Sequence, residues 1–108
     1  MATKAAEPPI LPGEACQTMA EVRAGVDALD AEIVALLARR FAYMDAAARI
    51  KPSRDAVRDE ARKAQVIANA SAHAAAAGLP AGLAEALWEE LVEQSIAYEF
   101  SRWDERRR

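Results

Sequence analysis

One stretch, TMAEVRAGVDALDAEIVALLARRFAYMDAAARIK from Thr18 to Lys51, sets most of what this chain can become. It holds no proline and a single glycine, Gly25. Its apolar residues Met19, Val22, Val26, Leu29, Ile33, Leu36, Leu37, Met44 and Ile50 recur at helical spacing. It opens on a capping box, Thr18 followed three residues later by Glu21. The spacing predicts one long helix. Its 34 residues would span roughly 50 Å at about 1.5 Å each. A compact globule made from the whole 108-residue chain is only about 35 Å across. Such a helix overhangs its own domain, and its apolar stripe calls for a second chain to cover it.

The seam of this helix carries charge. Counting in sevens from Met19 gives Val26, Ile33, Arg40 and Ala47. A guanidinium falls where the pattern asks for an apolar side chain. Lys51 lies eleven residues beyond Arg40, about 20° around the helix and roughly 16 Å along it. Both cations face the side that should be buried, and buried charges need partners. An anionic ligand would meet that need; so would a core carboxylate, or a bend that exposes Arg40.

Composition narrows the class. Hydrophobic residues make up 53% of the chain, but alanine dominates them. Val, Ile and Thr are sparse, so strands are not expected and the chain reads as all-α. A net charge of −3 argues against a nucleic-acid binder held by overall charge. The single Cys16 excludes an internal disulfide, and the single His73 leaves little for a metal site. No cofactor is expected. No apolar run reaches membrane length, and MATKAAEPPILPGEAC lacks the apolar core of a signal peptide. A cytoplasmic protein is the expectation.

Residues 1–17 hold Pro8, Pro9 and Pro12 without periodicity, which predicts a mobile or loosely docked tail. Cys16 reads as a packing residue. Pro52 should end the first helix near Lys51. KPSRDAV then reads as a plain turn, or as a lid over a site. A second helix is expected from Ser53–Asp55 to about Ala77, with Val57, Ala61, Ala64, Ile67, Ala68 and Ala75 on its apolar face. Its charges at Arg58, Asp59, Arg62 and Lys63 read as solvated. Its alanines imply closely approaching helix axes. Gly78 is a natural stop, and Pro80 suits the first turn of a third helix running to Asp104. That helix places Leu83, Leu87, Leu91, Ile96, Phe100 and Trp103 at helical spacing. Ser95 and Glu99 stand one turn apart on one face, a pair that by itself reads as solvated. The closing ERRR reads as a solvated tail.

Taken together, these features resemble the all-helical chorismate mutases, the AroQ class. The matching stretches are MAEVRAGVDALDAEIVALLARR, AAARIK, VRDEAR and IAYEF, between about Cys16 and Trp103. The resemblance implies a helical domain over 18–108 and an intertwined homodimer whose sites are shared between subunits. It also implies a small dicarboxylate substrate, chorismate, and no membrane or nucleic-acid partner. Residue by residue, Arg23 matches the arginine lent by the partner subunit, Arg40 the principal substrate-binding arginine, and Lys51 the lysine at the ether oxygen. Asp59 and Arg62 match pocket positions at the start of the second helix, and Ser95 and Glu99 the pair on the third. Lys63 departs from the pattern, because many mutases carry a Glu there that holds the substrate hydroxyl. That departure keeps open the related isochorismate pyruvate lyases, which share the fold and most of the site.

Helix geometry agrees with a shared site. Arg23 and Arg40 are seventeen residues apart, roughly 25 Å along a helix and about a quarter-turn around it. One small dianion cannot touch both on one chain. The chemistry suits these side chains too. Chorismate rearranges to prephenate by a pericyclic step, one C–O bond breaking as one C–C bond forms, with no nucleophile or proton shuttle. The protein need only hold the reactive conformer and stabilise charge on the ether oxygen. Arg23 and Arg40 suit the two carboxylates, as forked donors. Lys51 suits the ether oxygen, and Glu99 can donate from the other side only when protonated. A reading from a different class is a non-catalytic helical module with Glu85, Glu89, Glu90 and Glu93 as its partner surface.

Overall fold

A computed structural model describes residues 8–108; residues 1–7, part of the expected tail, lie outside the described residues. Among the described residues the elements are three α-helices, α1 (Met19–Ile50), α2 (Glu60–Ala76) and α3 (Leu83–Arg106), with short 3₁₀ turns at Gly13–Ala15 and Arg54–Ala56 and no strand. The fold is all-α. The chain divides into two compact units, Met1–Arg40 and Phe41–Arg108.

In the first unit the capping box forms as its residues dictate. The Glu21 amide donates to Thr18 Oγ1 at 3.1 Å, and the Thr18 amide donates back to Glu21 Oε1 at 3.0 Å. The Gln17 amide adds a second donor to the same oxygen at 2.9 Å. The Thr18 and Glu21 amides at this helix start are thereby satisfied, along with the Gln17 amide just ahead of it. Ahead of it, the 3₁₀ turn closes with the Ala15 amide donating to the Pro12 carbonyl. The Leu11 carbonyl passes Gly25, 3.7 Å from where a Cβ would stand, which is ordinary contact. Along α1 the apolar residues Met19, Val26, Leu29, Ile33 and Leu36 are all exposed in the single chain, Ile33 by 52%.

The second unit holds the core. Val57, Val92 and Ile96 are buried, with Val66, Ile67, Trp88, Phe100 and Trp103 packed around them. Ala70, Ala74 and Ala84 form a second cluster against Trp88. Small side chains at these three positions let the α2 and α3 backbones approach, as the alanine content implied.

Boundaries differ from the expectation where caps decide them. α2 starts at Glu60, not at Ser53–Asp55, because Asp59 is its N-cap and accepts from the Arg62 amide at 3.0 Å. Arg54–Ala56 is instead a 3₁₀ turn that delivers Val57 to the core. The inward face of α2 also differs from the expected one: Ala70 and Ala74 are buried and Lys63, Val66 and Ile67 half-buried, while Ala61, Ala64, Ala68 and Ala75 are exposed. α2 ends in a Schellman turn at Gly78, whose φ of 77° a residue with a Cβ would resist. There the Leu79 amide donates to the Ala74 carbonyl and the Gly78 amide to that of Ala75. Pro80 is not in the first turn of α3. Gly82, at φ 86°, is the N-cap, so the helix begins at Leu83.

The reciprocal cap gives a direct test. Thr18→Ala should cost about 1 kcal/mol of stability, and Thr18→Ala with Glu21→Ala should cost less than the two single changes added, measured by urea unfolding followed by circular dichroism.

Candidate functional site

Lys51 is the first residue beyond α1. Its amide makes the last helical hydrogen bond, to the Ala47 carbonyl at 2.9 Å. Pro52 then turns the chain, since proline disfavours the helical conformation in the residue before it. The chain comes back through the 3₁₀ turn, and the Val57 carbonyl accepts from Lys51 Nζ at 3.2 Å. Facing that ammonium from α3 is Glu99, with Oε1 at 2.6 Å from Nζ. This contact is an ion pair rather than a well-directed hydrogen bond, and Oε1 has no hydrogen-bond partner.

Glu99 is 4% exposed and Ser95 3%. The pair is buried, not solvated as its spacing alone suggests. Helical spacing placed both on the face of α3 that also carries Val92 and Ile96, and that face packs inward. The Ser95 hydroxyl donates to the Leu91 carbonyl at 2.7 Å, the usual back-bond of a serine inside a helix. A buried carboxylate is tolerated here because a cation stands against it.

The remaining expected residues are placed as follows. Arg40 is half-buried on α1 and Arg23 is exposed, both in the first unit. Asp59 is occupied as the α2 cap, and Arg62 donates to Gln65 at 2.6 Å on an exposed surface. No hydrogen bond or ion pair joins either to the Lys51–Glu99 pair among the described residues. Among those residues, no group of three His, Cys, Asp or Glu side chains is arranged to hold a metal ion.

Lys63 is not an ordinary solvated charge. Its side chain is 16% exposed and bridges Glu89 at 2.6 Å and Glu93 at 3.0 Å on α3. Arg58 grips Glu93 through both terminal nitrogens, at 2.9 and 3.1 Å, and also reaches Glu60. The Arg58 guanidinium first, and the Lys63 ammonium second, hold the Glu93 carboxyl down to about 2 from its ordinary 4.5. Glu85 accepts from Ser71, and Glu90 from Gln94. The acidic residues of α3 are thus largely hydrogen-bonded or ion-paired within the chain while Glu85, Glu89 and Glu90 stay exposed. The opposite charges were visible in the sequence, but the 26 to 35 residues that separate Arg58 and Lys63 from Glu89 and Glu93 put that pairing beyond any local pattern.

A family model for chorismate mutase type II matches residues 22–100. The chain belongs to that family. The matched segment of the chorismate mutase type II model runs from the second turn of α1 to the residue after Glu99. It therefore contains Arg23, Arg40, Lys51, Asp59, Arg62, Ser95 and Glu99. A search of curated proteins returned no match.

The sign of the Glu93 effect is fixed by its direction. A carboxyl held below its unfolded value adds stability that is fully present above about 4.5 and is lost as pH falls toward about 2. Glu85 and Asp45 are lowered too, so the variant isolates the share of Glu93. Urea unfolding between pH 6 and 2 should show Glu93→Gln less stable than wild type at pH 6, with the gap closing as the medium becomes acidic.

Proposed function

We propose that this protein converts chorismate to prephenate as a homodimer with sites shared between subunits. The observation that carries this reading is the Lys51 ammonium 2.6 Å from the buried Glu99 carboxyl, inside the segment matched to the chorismate mutase type II family. An ether oxygen placed against both groups accepts from the ammonium directly, and from Glu99 in its protonated form. Donors fixed before the reaction stabilise the charge that builds as the C–O bond breaks, and they need no rearrangement to do so. Arg40 and Arg23 take the two carboxylates through forked, charge-assisted bonds. Arg23 comes from the second subunit, because seventeen residues of helix separate it from Arg40 by roughly 25 Å. Asp59, Arg62 and Ser95 complete the lining. The exposed apolar row of α1 supports the dimer: large side chains left open to water at this density call for a covering surface.

Lys63 favours a second reading. Its ammonium is committed to Glu89 and Glu93, at a position where a carboxylate would suit a substrate hydroxyl. A site lacking that contact fits isochorismate pyruvate lyase chemistry, which yields salicylate and pyruvate with the same cations.

Each substrate offered separately decides between them, with prephenate read against salicylate. Arg40→Ala should lower kcat/KM on the order of 100-fold, the loss that follows removal of one partner from a buried charge pair. Glu99→Gln, whose amide can donate to the ether oxygen, should retain more chorismate turnover than Glu99→Ala. Equal losses in Glu99→Gln and Glu99→Ala would remove Glu99 as a donor.

A further inference from the structure

The end of α1 is held by two α3 side chains that the proposed reaction does not use. Trp103 donates its indole N–H to the Lys51 carbonyl at 3.1 Å. Arg107, the C-cap of α3, donates to the same carbonyl at 2.9 Å and to the Ala48 carbonyl at 2.9 Å. Its guanidinium lies over the Trp103 ring, 4.2 Å from the centroid. The ERRR segment is therefore not merely a solvated tail: one of its arginines caps a helix distant in sequence. The last carbonyls of any helix lack partners within it, and a cation there also complements the helix dipole.

Lys51 is consequently fixed at both ends. Its carbonyl is held by Trp103 and Arg107, and its ammonium by the Val57 carbonyl and Glu99. Pro52 follows immediately and offers no N–H of its own, so the anchoring at this point comes from side chains. We propose that Arg107 is a positioning residue for Lys51, clamping the Lys51 carbonyl to the end of α3 and so setting where the ammonium meets Glu99. Arginine suits the task because one planar fork can reach two carbonyls while stacking on an indole. A lysine could satisfy one carbonyl and would lose the stacking. The effect on catalysis rests on the function proposed above; the effect on Lys51 itself does not.

The test pairs a chemical readout with a kinetic cycle. Acetylation of Lys51, followed by peptide mass spectrometry, reports how firmly its ammonium is held. It should run several-fold faster in Arg107→Ala than in wild type, with Arg107→Lys between them. For chorismate turnover, Arg107→Ala should lower kcat by about 10-fold, with KM little changed, as displacement of a reacting group does. In a Lys51→Ala background the same substitution should leave the residual rate unchanged, because its route of action is gone. Unchanged Lys51 acetylation would overturn the proposal, as would an equal rate loss in both backgrounds. A wild type inert toward both chorismate and isochorismate would defeat the functional reading alone, and acetylation would still decide the positioning.

Discussion

A helix that stops leaves carbonyl groups without partners, and what satisfies them decides much of this structure. α1 stops at Ile50 because Pro52 cannot follow a helical residue comfortably. The orphaned acceptors at Ala48 and Lys51 are taken by Trp103 and Arg107 from the far end of the chain. Those bonds tie α1 to α3 at the point where Lys51 emerges. Two further ties act nearby. Tyr98 and Arg102 both donate to Asp45, and Phe41 meets the Tyr98 ring edge-on at 5.0 Å. The buried Lys51–Glu99 pair sits within this set of long-range links, so its geometry is inherited from them and not from the local sequence.

The connection from α1 to α2 is held in the same way. Arg54 pairs with Asp104 at 3.0 Å and stacks over Phe100 at 4.5 Å. Val57 enters the core and its carbonyl receives Lys51. A stretch that reads as a plain polar turn is therefore anchored on α3 by an ion pair, a ring contact and a buried valine. Loops fastened in this manner place functional groups with less freedom than their composition suggests. The proposed chemistry has that requirement, since it depends on prearranged donors and not on a nucleophile.

The long first helix, its cap at Thr18, the stop at Gly78 and the all-α class were legible because each rests on neighbours in sequence. The family resemblance was legible for a related reason, as its cations and apolar residues keep fixed intervals along the helices. The α2 start was missed because Ser53 and Asp59 both suit an N-cap, and it is Asp59 that caps α2, accepting from the Arg62 amide. The burial of Ser95 and Glu99 was missed because a face shared with Val92 and Ile96 points inward only once α2 has packed against it. Arg107 was missed because nothing in ERRR indicates which acceptors lie within its reach.

Periodicity, caps and glycine positions thus determined by themselves that this chain makes helices, where most of them end, and which cations lie along α1. Those are local matters of backbone conformation and hydrogen bonds within four residues. Tertiary structure alone decided that Glu99 faces Lys51, that Lys63 and Arg58 neutralise Glu89 and Glu93, and that Arg107 closes α1. Each of those contacts joins residues dozens of positions apart, and a charge chooses its partner only after packing has brought the candidates together.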